Sequence, residues 1–264
     1  DPGAVHLYTK NWEGVSEWVG AWNWDRVLQP VKEAGGSFGY AMSFSADGLR
    51  LAVGMPGRDL RPNDGGPVAV DAGSVFLYDK IDGEWTLQCE LGLYEVGARL
   101  GTSVSLSEDG NWLVVGAPNT MRNGIMAGKA VLYDITLLNQ FCFQDFHEFT
   151  PSTSNQSQNF GIGVSVSADG SRVAVGVSEH FITGIGAGPS SYVYVFAKDA
   201  STTGWSTGII RPVLGEEDKA YNSKFGSSLS FSADGKTLAI GAKGDSAAID
   251  QTRSKSGAVY VSTL

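Results

Sequence analysis

Residues 38–54 read FGYAMSFSADGLRLAVG, and the same pattern returns three more times along the chain. The copies begin at Phe38, Leu100, Phe160 and Phe225, so successive starts are 62, 60 and 65 residues apart. Each copy holds a Phe-Gly or Leu-Gly pair, a turn that ends in Asp-Gly, and an apolar run that ends in Gly. Self-similarity at a nearly constant period predicts a repeat architecture, and it outweighs any single-residue motif.

The first half of each copy predicts a β-hairpin. In the first copy, residues 42–45 alternate apolar and small polar side chains, which is the period of two expected of a strand. Asp47 and Gly48 predict a tight turn, because Gly adopts a left-handed conformation without steric cost and Asp accepts bonds from nearby amides. Residues 49–53 predict the second strand of the hairpin.

The second half of each copy follows a longer polar loop, which runs from Met55 to about Gly73 in the first copy. Further strands are predicted at 74–78, 129–133 and 191–196 in the third position, and at 85–89, 141–143 and 205–209 in the fourth. No stretch has a sustained apolar period of 3.6 residues, so the sequence predicts an all-β fold.

A four-stranded unit of about 60 residues, repeated along a chain, is the way a β-propeller is built. A sandwich or a solenoid made of the same hairpins is the alternative. Ser residues alternate along each first strand, and small side chains suit innermost strands, where neighbouring blades crowd together. We therefore predict an all-β propeller of four-stranded antiparallel blades.

The order of the motifs resembles the FG-GAP repeat, the unit of the integrin α-subunit propeller and of many secreted propellers. Phe-Gly, Ala-Asp-Gly, Ala-Val-Gly and Gly-x-Val-x-x-Tyr occur here in that order. Ala117-Pro118 after Gly116 completes the Gly-Ala-Pro element, and Met55-Pro56 nearly does. The third and fourth copies depart from it, with Val177-Ser178 and Ala242-Lys243.

The resemblance runs from residue 38 almost to the end of the chain and implies a propeller fold. Because propellers of this family are mostly secreted, periplasmic or lumenal, it also implies an extracytoplasmic location. It leaves the function open, since one fold hosts unrelated activities.

The Asp-Gly hairpins differ from those integrin hairpins that carry an Asp-x-Asp-x-Asp-Gly calcium loop. Here they read Ser-Ala-Asp-Gly or Ser-Glu-Asp-Gly. Calcium takes about six to eight oxygen ligands, usually several of them carboxylates from one loop. We therefore expect no metal and no cofactor, and we assign a turn-forming role to Asp47, Asp109, Asp169 and Asp234.

The chain is predicted to form one domain over residues 1–264. It divides into a partial N-terminal unit at 1–37, full repeats at 38–99, 100–159 and 160–224, and a last repeat at 225–264 without its own fourth strand.

Ring closure depends on the terminal segments. Residues 3–8 and 257–261 both predict third strands, and 18–31 holds a fourth. We expect about four blades, with the N-terminal segment as the outer strand of the last blade, because that arrangement leaves no exposed sheet edge. The alternative is an arc of a larger ring, such as the seven-bladed form common in the family.

Composition excludes some partners. The chain has 19 Lys and Arg residues against 28 Asp and Glu, a formal charge of −9, and no clustered basic stripe. This argues against nucleic acid, which is bound by clustered Lys and Arg that neutralise phosphates, and against anionic lipid.

No apolar run approaches the roughly 18 residues of a membrane-spanning helix, so we expect no membrane insertion. The first residue is Asp1 and no signal peptide is visible, which suggests a processed or trimmed form.

The two cysteines, Cys89 and Cys142, fall on predicted fourth strands of adjacent copies. Outer strands of neighbouring blades diverge, and a disulfide requires Cα atoms within about 7 Å. We therefore predict two buried free thiols. The sequon Asn155-Gln156-Ser157 lies in a predicted loop and would carry a glycan only in a eukaryotic secretory route.

Catalytic motifs are missing from the sequence. Of the three histidines, His6 and His147 are predicted to be packing residues, while His180 lies in a loop and is a candidate to face a ligand. There is no Gly-x-Ser-x-Gly, His-Glu-x-x-His, Cys-x-x-Cys or phosphate-binding loop. We predict that the chain is not an enzyme, with carboxylates brought together by folding as the remaining alternative.

The long loops are the predicted binding surface. In a four-stranded meander, loops between second and third strands share one face, and the Asp-Gly turns lie on the opposite face. Binding residues concentrate on loops held by a rigid scaffold. The ligand-face candidates are Arg58, Asp59, Arg61, Asn63, Asp64, Asp71, Arg122, Asn123 and His180. Solvated loop charges are the alternative interpretation.

Four tryptophans, Trp12, Trp18, Trp22 and Trp24, crowd the N-terminal segment. Blade packing is the favoured explanation for them, and an exposed sugar-binding platform is the alternative. The first functional hypothesis is therefore a non-catalytic protein-interaction or adhesion module, or an accessory subunit of a larger assembly. The second is a lectin-like propeller with a glycan ligand, and the third is a polysaccharide-active enzyme that uses loop carboxylates.

Overall fold

The computed structural model describes residues 2–10, 22–29, 35–62, 65–136, 145–151, 158–178, 191–199, 204–210, 224–244 and 257–264. Some residues singled out above lie outside these ranges, namely Trp12, Trp18, Asn63, Asp64, Cys142, Asn155 and His180.

The described residues form nineteen strands and no helix, which confirms the all-β prediction. The strands of the first half are β1 (Val5–Lys10), β2 (Trp22–Leu28), β3 (Met42–Phe44), β4 (Arg50–Met55), β5 (Ser74–Ile81), β6 (Glu84–Gly92), β7 (Ser103–Leu106), β8 (Trp112–Ala117), β9 (Met121–Arg122) and β10 (Ile125–Met126). Those of the second half are β11 (Lys129–Asp134), β12 (Phe146–Phe149), β13 (Val164–Val166), β14 (Arg172–Ser178), β15 (Ser191–Lys198), β16 (Trp205–Ile210), β17 (Phe225–Phe231), β18 (Thr237–Ala242) and β19 (Ala258–Thr263).

Three sheets are complete antiparallel blades of four strands. Blade A has the order β3-β4-β5-β6, blade B has β7-β8-β11-β12, and blade C has β13-β14-β15-β16. An N-terminal sheet of β1 and β2 precedes them, and a C-terminal sheet of β17, β18 and β19 follows. The fourth strand of blade B is β12, whereas the predicted position 141–143 lies outside the described residues.

Each large hydrophobic cluster lies between two consecutive sheets. Leu77 and Leu91 of blade A pack with Leu113 and Val131 of blade B, and equivalent clusters join the other neighbouring sheets. Face-to-face packing of successive antiparallel meanders is the propeller arrangement. The fold prediction is therefore confirmed.

The Phe-Gly pair of each copy docks on the preceding sheet. The Leu100 amide donates to the Ala72 carbonyl (2.9 Å) and the Phe160 amide to the Ala127 carbonyl (3.2 Å), each beside a glycine with φ near +75° to +80°, Gly73 and Gly128. A side chain at either glycine would overlap the backbone of the next copy. These glycines are thus required both by conformation and by the close approach of two backbones.

The serines of the innermost strands also link successive blades. The hydroxyl of Ser43 accepts the Leu106 amide (2.9 Å), and Ser105 accepts the Val166 amide (3.2 Å) in the same way. Ser165 continues the series to the C-terminal sheet. The prediction that these small residues lie where blades crowd together is confirmed.

The Asp-Gly turns have the predicted local geometry. In the first, Asp47 Oδ1 accepts the Ser45 hydroxyl (2.6 Å) and the Leu49 amide (2.9 Å), while Gly48 has φ +68°. The other three copies repeat the bond between Ser and Asp. These carboxylates are therefore used in holding the turn.

The N-terminal sheet differs from three predictions. β1 pairs with β2 and not with β19, so the predicted outer strand of the last blade is wrong. The pairing shifts at Asp25, and this bulge turns Trp22 and Trp24 to the side of the sheet that bears Tyr8, away from blade A. Trp22 and Trp24 are 65% and 61% exposed, so blade packing does not explain them. His6 is exposed as well, and its predicted packing role is also wrong.

The C-terminal sheet has one buried face and one open face. Leu238 and Ile240 pack against blade C, whereas Val259 and Val261 point away from it and are exposed. Ser230 corresponds to the linking serines of blades A, B and C, yet it is exposed and meets no later sheet among the described residues. The open face of the last sheet is thus equivalent to the face of each earlier blade against which the next sheet packs.

Cys89 is disulfide-bonded, so the prediction of free thiols is wrong. Its side chain is buried in the cluster between blades A and B. The chain holds one other cysteine, Cys142, which lies outside the described residues. The prediction placed both cysteines on outer strands, whereas the fourth strand of blade B is β12 (Phe146–Phe149) and does not include Cys142.

Candidate functional site

The two ends of the blades form two distinct surfaces. The loop face carries the connections between second and third strands, together with the segments that lead from one blade to the next. The turn face carries the Asp-Gly turns and the ends of the third strands, since the Lys80 amide bonds Leu49 and the Ile135 amide bonds Asn111.

The loop at 55–73 is held in place by its own contacts. Leu60 and Ala69 pair as an isolated antiparallel bridge and form a small cluster with Ala72. Asp59 Oδ1 accepts the Asp71 amide (2.9 Å) across the loop. The described part of this loop is therefore an ordered surface.

Ion pairs hold the rim of the loop face. Arg58 Nε donates to Glu90 Oε1 on β6 (2.9 Å). Lys129 is almost buried, and its Nζ lies 2.7 Å from Glu95 Oε1 and 3.0 Å from Glu148 Oε1. Desolvation alone would lower the pKa of Lys129, but hydrogen bonds and charge from the two carboxylates outweigh it and raise the pKa. The segment that leads from blade A to blade B is thus tied to blade B through the pair between Glu95 and Lys129.

Four exposed apolar side chains lie on adjoining segments of the loop face of blades A and B, and together we call them the apolar patch. Its members are the exposed side chains of Val70, Tyr94, Val96 and Met121. The Val70 carbonyl accepts the Gly97 amide (2.8 Å), so the loop of blade A lies directly beside the connecting segment. The Asn119 amide in turn bonds the Ala98 carbonyl (3.3 Å), which brings the loop of blade B to the other side of that segment.

The predicted ligand-face residues fall into groups. Arg61 and Arg122 are exposed beside the apolar patch, and Arg122 Nη1 lies 3.3 Å from the Thr150 hydroxyl. Arg58, Asp59 and Asp71 make the contacts described above. Asn123 has φ +52° in the turn between β9 and β10. Asn63, Asp64 and His180 lie outside the described residues.

A cavity of about 570 Å³ opens on the turn face between blades B and C. This volume is in the range of small-molecule sites, about 300–1,000 Å³. Leu132 is buried at its base, and the wall contains two tryptophans together with polar groups. The lining residues are Trp112, Leu132, Asp134, Asp145, Phe146, His147, Ser171, Lys198, Asp199 and Trp205.

The cavity lies where a repeated arginine is replaced. The second residue after each Asp-Gly turn is Arg50 in blade A and Arg172 in blade C, and each donates Nη1 to the Gly carbonyl of the next turn, Gly110 or Gly235 (2.7 and 2.8 Å). In blade B this position is Trp112. No hydrogen bond joins the Trp112 indole to the Gly170 carbonyl in the described part of the chain, and the cavity lies beside this side chain.

The same replacement changes the environment of Asp134. In blade A, Arg50 makes a bidentate pair with Asp79, its partner in the strand register (2.7 and 2.9 Å). In blade B the corresponding pair is Trp112 and Asp134. Asp134 Oδ1 accepts the amide and hydroxyl of Thr136 (3.0 and 2.6 Å), whereas Oδ2 accepts no hydrogen bond from the described residues.

The aromatic wall is fixed by packing. The Trp112 ring covers Gly170, where a side chain would overlap it. Trp205 contacts Phe149 edge to face (5.1 Å between centroids) and lies 5.8 Å from His147. Burial lowers the pKa of His147, and the charge of Glu148 opposes this only in part, so the imidazole is neutral at pH 7. The predicted packing role of His147 is confirmed only in part, because its ring contacts Phe149 and Trp205 while the residue remains exposed.

Sequence reasoning missed this cavity, although a signal was present. The aligned copies show Arg50, Trp112, Arg172 and Thr237 at one position, and the tryptophan stands out from the two arginines.

No cluster of three or more His, Cys, Asp or Glu suited to a metal occurs within the described ranges. In the same ranges, no helix is long and apolar enough to cross a membrane.

Comparison with family models finds no match for this chain, and comparison with curated proteins finds none either. Among solved structures, the β-propeller domain of Cps50 (Swd1) from Myceliophteria thermophila is 14% identical, with a TM-score of 0.48 over 90% of this chain, and the chain spans 58% of that structure's length. The periplasmic gluconolactonase PpgL of Pseudomonas aeruginosa is 16% identical, with a TM-score of 0.38 over 90% of this chain and 76% of that one.

The tricorn protease is 13% identical, with a TM-score of 0.40 over 90% of this chain and 26% of that one. Likeness at this level concerns the fold alone. It does not indicate what the chain binds.

Proposed function

We propose that the chain is a non-catalytic, extracytoplasmic protein-interaction module of the FG-GAP propeller type, which binds its partner through the loop face. The observation that carries this proposal is the apolar patch of Val70, Tyr94, Val96 and Met121. Exposed apolar patches on ordered surfaces mark interaction sites, because water contact with them is relieved on binding. The bonds that join the two loops and the connecting segment support a preformed surface.

The charges around the patch favour an acidic partner. Arg61, Arg99 and Arg122 are exposed on this face, although the whole chain carries a formal charge of −9. The nearby cations Arg58 and Lys129 are already paired with carboxylates. Complementary charge at a rim mainly sets the association rate and the choice of partner. We therefore infer a partner with an apolar centre and carboxylates around it.

Two further observations support the location and the absence of catalysis. Cys89 is disulfide-bonded, and disulfides form and persist in oxidising compartments outside the cytosol. The FG-GAP resemblance points in the same direction. The polar groups of the loop face mostly serve its own structure, as Asp59 does towards Asp71, and this favours recognition over chemistry.

The test is a pull-down from the native source with the immobilised chain, with both proteins and glycans identified in the eluate. Val96→Asp places a charge on the most exposed side chain of the patch, and Arg99→Glu reverses a neighbouring charge. The matched control is Leu87→Asp, which introduces the same charge at an exposed apolar residue on the outer strand of blade A.

We expect one stoichiometric protein with the unaltered chain and with Leu87→Asp, and its loss with Val96→Asp. Arg99→Glu should reduce recovery most at low salt, since screening weakens surface charges. Equal recovery of that protein by Val96→Asp would exclude the loop face as its binding site. Recovery of glycan without protein would overturn the proposal.

A further inference from the structure

The cavity between blades B and C lies on the face opposite to the proposed partner surface, and nothing in the proposed function uses it. We propose that this cavity binds a neutral sugar ring, with Trp112 and Trp205 as stacking surfaces and the carboxylate of Asp134 as acceptor for its hydroxyl groups. The ligand class follows from three properties of the lining.

The first property is a pair of ordered aromatic surfaces. Trp112 is held against Gly170, and Trp205 is held by Phe149 and His147. The apolar face of a sugar ring stacks on such planes, because its C–H groups lie on one side of the ring. Little side-chain entropy is lost when the receiving rings are already fixed.

The second property is an acceptor without its usual partner. Asp134 occupies the register position of Asp79, but no arginine lies opposite it. Its Oδ2 atom is left to accept a bond from a ligand. A carboxylate is a charged acceptor, and hydrogen bonds to charged groups are roughly twice as strong as neutral ones. Vicinal hydroxyl groups are well suited to such an acceptor.

The third property is a mixture of donors and acceptors. Asp145 and Asp199 add carboxylates, while Lys198 and His147 supply groups able to donate. The Ser171 hydroxyl donates to Asp169 and can therefore only accept from a ligand. An anionic ligand would meet three carboxylates. A cationic ligand would be repelled by the ammonium group of Lys198, whose Nζ lies 5.1 Å from the centre of the Trp112 ring. A neutral ring with many hydroxyl groups uses both kinds of partner without either conflict.

The test follows the indole N–H signals of the ¹⁵N-labelled chain by NMR during titration with methyl β-D-glucopyranoside, methyl β-D-galactopyranoside, methyl α-D-mannopyranoside and cellobiose. We expect one of these sugars to shift the signals of Trp112 and Trp205 while leaving Trp24 unchanged. Tetramethylammonium serves as the cationic probe. No shift with any sugar, a shift confined to Trp22 and Trp24, or a response to tetramethylammonium alone would each overturn the proposal.

The decisive variant is Trp112→Arg, which gives blade B the residue that blades A and C carry. The new arginine is placed to pair with Asp134 and to reach the Gly170 carbonyl, as Arg50 does with Asp79 and Gly110. The chain should fold and lose about tenfold in sugar affinity, which is the equivalent of about 1.4 kcal/mol and within the range of one aromatic contact. Trp24→Ala removes an exposed tryptophan elsewhere and should bind normally. Unchanged affinity in Trp112→Arg would disprove the site.

Discussion

Gly54 lies so close to Gly101 of the next copy that a β-carbon at Gly54 would overlap the Gly101 carbonyl oxygen. Gly116 and Gly176 make the same contact with Gly161 and Gly226. The glycine that ends each apolar run and the glycine of the following Phe-Gly pair therefore form one backbone contact between successive sheets. This contact explains why the two motifs recur together.

Substitution of Gly116 tests that contact. Gly116→Ala should lower the free energy of unfolding by about 3 kcal/mol, because the nearest obstructing atom is the backbone carbonyl oxygen of Gly161, which cannot move aside as a flexible side chain would. Urea denaturation measures the change. Gly208→Ala is the matched control, since its nearest atom would be 3.8 Å from the new carbon, and it should cost less than about 0.5 kcal/mol. Equal costs for the two variants would contradict the interpretation.

The arginines between blades give a second prediction. Arg50 pairs with Asp79 and bonds the Gly110 carbonyl, whereas Arg172 bonds the Gly235 carbonyl and faces Ala197 in the strand register. Arg50→Ala leaves a partly buried carboxylate without its partner and should cost about 2 kcal/mol. Arg172→Ala should lower the free energy of unfolding by about 1 kcal/mol, since it removes one hydrogen bond to a neutral group.

Thermal and urea denaturation of both variants compare these costs. The double variant Arg50→Ala, Asp79→Ala should recover part of the stability lost in Arg50→Ala, because it removes the unpaired carboxylate. A cost for Arg172→Ala as large as that for Arg50→Ala would show that the Asp79 pair contributes nothing.

The features that could be predicted from sequence are those imposed locally and in every copy. Gly48 and Asp47 form a turn through atoms within a few residues of each other, and Ser43 lies on a strand whose period is visible in the sequence. Because the same weak local signals recur in four copies, together they predicted the fold class, which the structure confirms. The repeat also predicted that the long loops lie on the face opposite to the Asp-Gly turns.

The features that could not be predicted depend on single departures from the repeat. One bulge at Asp25 reverses the side on which Trp22 and Trp24 lie, and alternation alone gives no sign of it. The cavity lies where Trp112 replaces an arginine whose bonds reach across to another blade. Pattern matching within one copy does not reveal contacts that join residues about 60 positions apart, such as Arg50 and Gly110.

Acid should weaken the Asp-Gly turns. The hydrogen bond from the Ser167 hydroxyl, followed by bonds from the Ser171 amide and hydroxyl, holds the pKa of Asp169 below its ordinary value of 3.8. A lowered pKa in the folded state contributes stability that is present above the ordinary pKa and is lost as pH falls through the lowered value. Asp169→Asn keeps an acceptor oxygen but cannot titrate.

We therefore expect the unaltered chain to exceed Asp169→Asn in unfolding free energy by ~0.5–1 kcal/mol at about pH 6, with the difference shrinking towards about pH 3. His147 contributes equally to both chains, so its titration cancels in the difference. Urea denaturation at the two pH values provides the measurement. A difference that grew on acidification would mean that the carboxylate opposes the turn.

The disulfide at Cys89 gives the last prediction. Because the only other cysteine is Cys142, the cross-link closes a loop of 53 residues. The chain-entropy treatment gives about 4 kcal/mol of stabilisation for a loop of this length. Cys142→Ala should show most of that loss in urea denaturation, and Cys89→Ala should lose slightly more because its side chain is also buried. The double variant should be no less stable than Cys89→Ala, since both changes break the same bond. Thiol titration of the unfolded, unreduced chain should find no free thiol, and two titratable thiols would disprove the bond.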